Sequence, residues 1–149
     1  MMTQHPSLVT ARNPMISGYA SVFRVVDRQN DAIAPGAFSK TLSAWRRFGK
    51  WPPLLWQHDP KTPIGIWTHL HEDETGLYGE GKLALGVRRA DEASILLKEG
   101  MIDHLSIGFR TLKATRDPKT HARLLLDIDL LEISLVTFGA NSRAVARAV

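Results

Sequence analysis

The strongest constraint on the fold is a series of short β-type segments separated by turn residues. Branched and aromatic side chains are concentrated in seven segments, residues 15–26, 54–57, 64–71, 77–85, 105–114, 123–128 and 130–138. Proline, glycine, asparagine and aspartate separate them, and several neighbours are close enough to form hairpins. Helical segments do not alternate regularly with these strands, which excludes a doubly wound parallel sheet. We therefore predict an antiparallel β-barrel of six or seven strands.

Two longer segments have helical periodicity and are expected to flank the barrel. In residues 37–48 apolar side chains recur every three or four positions, and Gly49 follows as a stop signal. Residues 90–99 form the second predicted helix, with Gly100 just beyond its end. Residues 144–149 are expected to begin a further helix. The predicted fold class is mainly β with flanking helices (α+β).

The length and the N-terminal composition bound the domain organisation. With 149 residues, 44% of them hydrophobic, the chain can bury a core without disulfides. Residues 1–14 are polar, contain two prolines and are expected to form a flexible arm, which leaves residues 15–149 as a single domain. No apolar run approaches the roughly 18 residues of a membrane-spanning helix, and the arm lacks the apolar stretch of a signal peptide. We expect no membrane association.

The charge distribution bears on nucleic-acid binding. The formal net charge is +4, and residues 1–50 carry seven Lys or Arg against two Asp or Glu. A basic balance can indicate a nucleic-acid partner. Here the basic residues are scattered apart from the pairs at 46–47 and 88–89, and no aromatic side chains are interleaved with them. We predict no nucleic-acid partner.

Two patterns suggest nucleotide or metal binding but are incomplete. Residues 76–83 read G-x-x-x-x-G-K, yet Leu83 stands where a phosphate loop needs a hydroxyl, and the segment is itself a predicted strand. His69 and His71 would share one strand face, but no third ligand follows at a recognisable spacing. The chain has no cysteine, which removes thiolate ligands and cysteine nucleophiles. We predict no metal and no cofactor.

A serine within an apolar segment is the first candidate for covalent chemistry. Ser106 lies in such a stretch, two residues before Gly108, which we expect to let a substrate backbone approach closely. A serine nucleophile needs a base to take its proton and a third group to orient that base. His104 would share the strand face of Ser106, whereas His58 ends another apolar strand beside Trp56, where its pKa can be tuned. The residues alone leave both bases open.

The third group is expected to be a carboxylate. Glu132 interrupts the apolar segment 130–136, and a carboxylate there must be paired, protonated or functional. Asp59, Asp127 and Asp129 are less confined rivals. The structural alternatives are a salt bridge from Glu132 to an arginine and a strand serine satisfied by the backbone.

Several segments, taken in order along the chain, resemble the prohead (capsid maturation) proteases of tailed bacteriophages, which are similar in fold to the herpesvirus assemblins. These segments are residues 18–23, 35–38, 54–59, 63–65, 76–77, 96–100, 105–109 and 131–137. The resemblance covers residues 16–145. The chain departs from the family pattern at Gly139, where a proline is expected.

The resemblance implies a serine endopeptidase with Ser106 as nucleophile, His58 as general base and Glu132 as third member. Ser134, on the strand face of Glu132, is a local rival or helper. The implied substrates are segments of scaffold and major capsid protein, and the protease itself, cleaved inside the assembling prohead in the host cytoplasm. The assemblin likeness implies a homodimer. The alternative is a non-catalytic β-barrel module that binds capsid or scaffold; convergence of the three side chains would favour the enzyme.

Overall fold

The computed structural model describes residues 14–148, which form eight strands and two helices. In chain order these are β1 (Met15–Val22), β2 (Asp31–Ile33), α1 (Ser39–Phe48), β3 (Pro53–Trp56), β4 (Asp59–Glu72), β5 (Gly76–Leu83), α2 (Arg88–Lys98), β6 (His104–Arg116), β7 (Arg123–Val136) and β8 (Ala146–Ala148). The mainly β fold class with two helices is confirmed. Apart from Pro14, the predicted N-terminal arm lies outside the described residues.

All eight strands belong to one mixed sheet, in the order β2-β7-β3-β4-β5-β1-β8, with β6 also paired to β7. The antiparallel β6 occupies one edge of β7 along its length, so β2 and β3 share the other edge, where both run parallel to β7. The prediction of a purely antiparallel sheet of six or seven strands is wrong, because eight described strands are present and β2 and β3 run parallel to β7. Turn residues report pairing between consecutive strands, whereas β2 and β3 pair with a strand far along the chain.

Two further expectations are corrected. Residues 123–136 of the segments 123–128 and 130–138, predicted as two strands, form the single strand β7, because the ladder with β6 runs through Asp129, which is paired with Arg110 and also bonded to its side chain at 2.7 Å. The predicted helical start at 144–149 is instead β8, which pairs with the edge of β1. The edge of β1 supplies backbone partners to residues 146–148, and this tertiary pairing overrides the local helical preference.

The sheet curls so that its β8 end returns to β6. The Leu105 amide donates to the Ala144 carbonyl at 2.8 Å, and the Ala146 amide donates to the Asp103 carbonyl at 2.7 Å. Fully buried aliphatic side chains fill the inside of the curl, among them Ile16, Leu54, Ile64, Leu70, Leu77, Leu105, Ile128 and Ile133. The hydrophobic burial of these residues drives the curl and fixes the strands that carry the candidate site.

Helix α1 is fastened to β7 by side chains as well as by packing. The Trp45 indole donates to the Leu130 carbonyl at 2.9 Å, and the Leu130 amide donates to the Thr41 hydroxyl at 3.0 Å. Gly49, with φ of 74°, ends the helix in the left-handed conformation that glycine tolerates best. No helix within residues 14–148 is long and apolar enough to cross a membrane.

The glycine-rich segment is the strand β5, as predicted, and its glycines make room for a tryptophan. A Cβ atom added to Gly79 or Gly81 would lie 3.0 Å from the six-membered ring of Trp67 on β4. Trp67 is only 4% exposed. The G-x-x-x-x-G-K pattern is therefore explained by packing.

Candidate active site

The turn between β3 and β4 presents His58. Trp56 pairs with Asp59, so Gln57 and His58 are the two central residues of a hairpin turn, with φ of 52° and 61°. Turns of this kind favour asparagine and glycine, and left-handed backbone costs energy at glutamine and histidine. Gln57 offsets that cost by binding Thr137 twice, through Nε2 to the hydroxyl at 2.7 Å and through Oε1 from the amide at 3.1 Å. The His58 backbone is thereby held in one conformation.

The His58 ring is bound by a carboxylate. Its Nδ1 makes a short hydrogen bond with Oε1 of Glu132, whose side chain is 13% exposed on β7. This hydrogen bond raises the pKa of His58, and partial burial of the ring opposes the shift. With Nδ1 engaged, Nε2 is the nitrogen left for another partner. Glu132 therefore pairs with a histidine and not with an arginine.

Ser134 connects the turn to the carboxylate. Its buried hydroxyl donates to Oε2 of Glu132 at 2.6 Å and accepts from the His58 backbone amide at 3.0 Å. Both Glu132 oxygens are thus hydrogen-bonded, one to the ring and one to the hydroxyl that holds the turn. The Ser134 oxygen is therefore already engaged on two sides.

Gly108 provides the space that the Glu132 carboxylate occupies. The two residues are paired between β6 and β7, and a Cβ atom on Gly108 would lie 2.4 Å from Oε1 of Glu132. The expectation that this glycine admits a substrate backbone is wrong, because the carboxylate fills the space. The pairing shifts directly afterwards, where Phe109 opposes Leu130, and such a bulge redirects neighbouring side chains.

Ser106 lies on the same face of the sheet as the hydrogen-bonded network. It is paired directly with Ser134, two residues from Glu132, and it lines a cleft of about 100 Å³ together with His58. Ser106 is 8% exposed, and its hydroxyl has no hydrogen-bond partner among residues 14–148. The alternative of a strand serine satisfied by the backbone therefore does not hold for the described chain.

The rival candidates bind elsewhere. His104 contacts Asp103 at 3.0 Å and does not line the cleft. Each rival carboxylate has its own partner: Asp59 accepts from Thr62 at 2.6 Å, Asp127 pairs with Lys40 at 3.4 Å, and Asp129 pairs with Arg110 at 2.7 Å. The structure thus joins His58, Glu132 and Ser134 by hydrogen bonds, and Ser106 shares a cleft with His58.

The two-histidine pattern forms a local contact on the sheet. Nδ1 of His71 lies 2.8 Å from Nε2 of His69, and the rings are 4.8 Å apart between centroids. Within residues 14–148 no group of three or more His, Cys, Asp or Glu side chains is arranged to hold a metal ion.

Sequence reasoning missed the residues that brace the turn. Gln57 and Thr137 lie 80 positions apart, and only the parallel pairing of β3 with β7 brings them together. One signal was present: Gln57 is a polar residue at the end of an apolar strand, directly before the candidate base.

The sequence matches the model of the caudovirus prohead serine protease family over residues 3–149. The chain belongs to this family. Its prohead protease relative in Enterobacteria phage HK97 is 35% identical over 132 residues, which are 87% of this chain and 57% of that relative. The chain thus spans little more than half the length of that family member.

Solved structures of other viral proteases share the fold. The capsid assembly protease of bacteriophage T4 superimposes with a TM-score of 0.67 at 16% identity, over 82% of this chain and 80% of that one. The Kaposi's sarcoma herpesvirus protease, bound to a hexapeptide phosphonate inhibitor, gives a TM-score of 0.58 at 14% identity, over 89% and 63%. The predicted likeness of this prohead protease family member to the herpesvirus enzymes is therefore confirmed at the level of fold.

Proposed function

We propose that the chain is a serine endopeptidase that cleaves segments of scaffold and major capsid protein during phage prohead maturation. The observation that carries the proposal is the His58–Glu132 pair, whose histidine shares a cleft with Ser106, a serine whose hydroxyl has no partner among residues 14–148. Family membership supports the peptidase class. A histidine held through Nδ1 by a carboxylate is the arrangement that activates a serine nucleophile.

In the proposed mechanism His58 acts as general base and then as general acid. Nε2 takes the proton of Ser106 Oγ as that oxygen bonds to the peptide carbonyl carbon, and a tetrahedral intermediate forms. The intermediate collapses when the C–N bond breaks, and His58 returns the proton to the leaving amine. Water, deprotonated by the same nitrogen, then hydrolyses the ester of Ser106. Glu132 holds the ring and stabilises its cationic form in both steps.

The remaining assignments are part of the same proposal and rest on the resemblance to the prohead proteases and the assemblins. Residues 15–149 act as one protease domain built on a barrel-like sheet, and this domain works inside the assembling prohead in the host cytoplasm. The chain acts as a homodimer and also cleaves its own polypeptide. No metal or cofactor takes part in the proposed mechanism, because the base, the nucleophile and the orienting group are all side chains.

The test is the Ser106→Ala variant, mixed with the scaffold and major capsid protein of the same phage. We expect cleavage to fall by about 10³-fold or more, while the circular dichroism spectrum and Tm are retained. Ser142→Ala, at an exposed loop serine, is the matched control and should cleave normally. A fluorophosphonate probe should label the wild type and Ser142→Ala but not Ser106→Ala.

Two outcomes would contradict the proposal. Full cleavage by Ser106→Ala would remove Ser106 from the nucleophile position. A wild-type protein that binds scaffold or capsid protein without cleaving it, and that resists the fluorophosphonate, would instead indicate the non-catalytic binding module.

A further inference from the structure

A second concave surface lies at the other end of β3. An open groove of about 720 Å³ runs between the end of α1, the segment that leads into β3, and β4. Its apolar lining consists of Trp51, Pro52, Pro53, Ile66 and Trp67. None of the residues lining this groove lines the cleft that holds Ser106. The groove is therefore separate from the proposed catalytic site.

A buried donor in the groove wall has no acceptor. The indole N–H of Trp67 is buried and has no hydrogen-bond partner among residues 14–148. The six-membered ring of this indole packs over Gly79 and Gly81 of β5, so its opposite edge, which carries Nε1, points away from those glycines, and Trp67 also lines the groove. Buried N–H groups without acceptors are rare and unfavourable, so an acceptor brought by a ligand would be favoured here.

The strand edge beside Trp67 is open. β3 pairs with β4 only as far as Pro53 opposite Ile66, and beyond that point no described strand pairs with β4 on this side. Pro52 and Pro53 have no N–H to offer. An extended peptide lying in the groove could use this edge for backbone hydrogen bonds, and a rotation of the buried indole would bring Nε1 of Trp67 to a peptide carbonyl oxygen.

The rim of the groove is basic. Arg46 and Lys50 line it and are exposed, and neither forms an ion pair within residues 14–148. Ile66, part of the apolar floor, is 61% exposed beside this rim. An occupant that places apolar side chains on Ile66 and the tryptophans would bring its flanking residues to the two cations.

We propose that this groove binds an extended peptide segment whose apolar residues are flanked by carboxylates. Such a segment belongs to another protein chain and is held outside the catalytic cleft. The inference does not depend on catalysis, since it uses none of the residues assigned to the proposed chemistry.

The experiment measures fluorescence anisotropy with two labelled ten-residue peptides on the full chain carrying Ser106→Ala, so that the probe stays intact. Both peptides have a Leu-Val-Leu centre; one is flanked by Asp and Glu, the other by Lys. We expect the acidic peptide to bind at least about ten times more tightly than the basic one, and added salt to reduce the difference. Arg46→Glu with Lys50→Glu should reverse the preference.

Three single substitutions separate the groove from the rest of the surface. Ile66→Asp should weaken binding of the acidic peptide by about tenfold or more, because it places a carboxylate in the apolar floor. Ile95→Asp, at a 55% exposed isoleucine on α2, is the matched control, and this variant should bind the acidic peptide with unchanged affinity. Trp67→Phe removes the N–H but keeps an aromatic ring, and should weaken binding about three- to tenfold.

Equal binding of the two peptides, or binding unchanged by Ile66→Asp, would overturn the proposal. So would sedimentation showing a dimer of this chain that Ile66→Asp dissociates and Ile95→Asp does not. That result would assign the groove to a second copy.

Discussion

The two ends of β3 differ in whether their buried polar groups already have hydrogen-bond partners. At its C-terminal end the groups that hold the histidine are already paired: the His58 amide and Nδ1, the Ser134 hydroxyl and both Glu132 oxygens are hydrogen-bonded, and only the Ser106 hydroxyl beside them has no partner within residues 14–148. At its N-terminal end the wall is apolar, and the Trp67 N–H has no acceptor within residues 14–148. Acid–base chemistry needs its groups in place before the substrate arrives, since reorganisation during the reaction raises the barrier. A docking surface can instead leave a donor unpaired until its partner supplies the acceptor.

The largest expected effect comes from removing His58, the proposed general base. His58→Ala should reduce kcat/KM for capsid-protein cleavage by about 10³-fold or more, because no other imidazole from residues 14–148 lines the cleft. His104→Ala is the control, since His104 contacts Asp103 and lies outside the cleft. If His104→Ala lost activity while His58→Ala kept it, the base would have to be reassigned to β6.

Substitution of Glu132 changes the pH at which the base works. Glu132 raises the pKa of His58, so the neutral base becomes available only as the pH rises above the ordinary histidine value of about 6.5. Glu132→Gln should lower the rate by about 10²-fold and move the acid limb of the kcat/KM profile toward lower pH. An acid limb at the same pH in the variant would show that Glu132 does not control the titration.

The raised pKa of His58 also makes stability depend on pH, in the direction opposite to that of the proposed activity. A histidine whose pKa is higher in the folded protein stabilises the fold below about pH 6.5, and this contribution is lost as the pH rises through the folded pKa. The proposed activity therefore increases over the range in which the His58–Glu132 pair stabilises less. Wild-type Tm measured from pH 5 to 8 should fall relative to that of Glu132→Gln.

The sequence predicted those parts of the molecule that depend on neighbours in the chain. The periodicity of α1 and the hairpin of β4 with β5 across residues 73–76 are local features, and both are present. The parallel pairing of β2 and β3 with β7 is decided by contacts between distant segments, which local turn residues do not report.

The candidate site also contains residues that the sequence identified and a contact that it could not. Ser106, His58 and Glu132 were assigned through ordered motifs that resemble a family. The bridging role of Ser134 depends on the backbone amide of a residue 76 positions away. Residue type alone could not distinguish a bridging hydroxyl from a second nucleophile, because both are serines on the face of Glu132.

Matched glycine substitutions sharpen the comparison between the two ends. Gly108→Ala would press on the Glu132 side chain from Cγ at 2.9 Å to Cδ at 3.0 Å and displace the carboxylate from its partners, so we expect about 10- to 100-fold lower activity together with a lower Tm. Gly79→Ala would press on Leu70 at 2.8 Å and on the Trp67 ring at 3.0 Å. Overpacking there should cost about 1–3 kcal/mol in the free energy of unfolding and spare the activity of the folded protein. Reversed results from thermal melts and cleavage assays would contradict this division.

The smallest effect concerns the hydroxyl that joins the turn to the carboxylate. Ser134→Ala removes one hydrogen bond to Glu132 and one from the His58 amide, but it leaves the Nδ1–Glu132 contact in place. We expect kcat to fall about three- to tenfold with KM nearly unchanged, because the ring keeps its partner but gains freedom of position. A loss as large as that of Ser106→Ala would instead make Ser134 a reacting group. Ser134→Thr keeps the hydroxyl and should recover most of the activity if Ser134 acts by positioning. Fluorophosphonate labelling of Ser134→Ala should continue at Ser106.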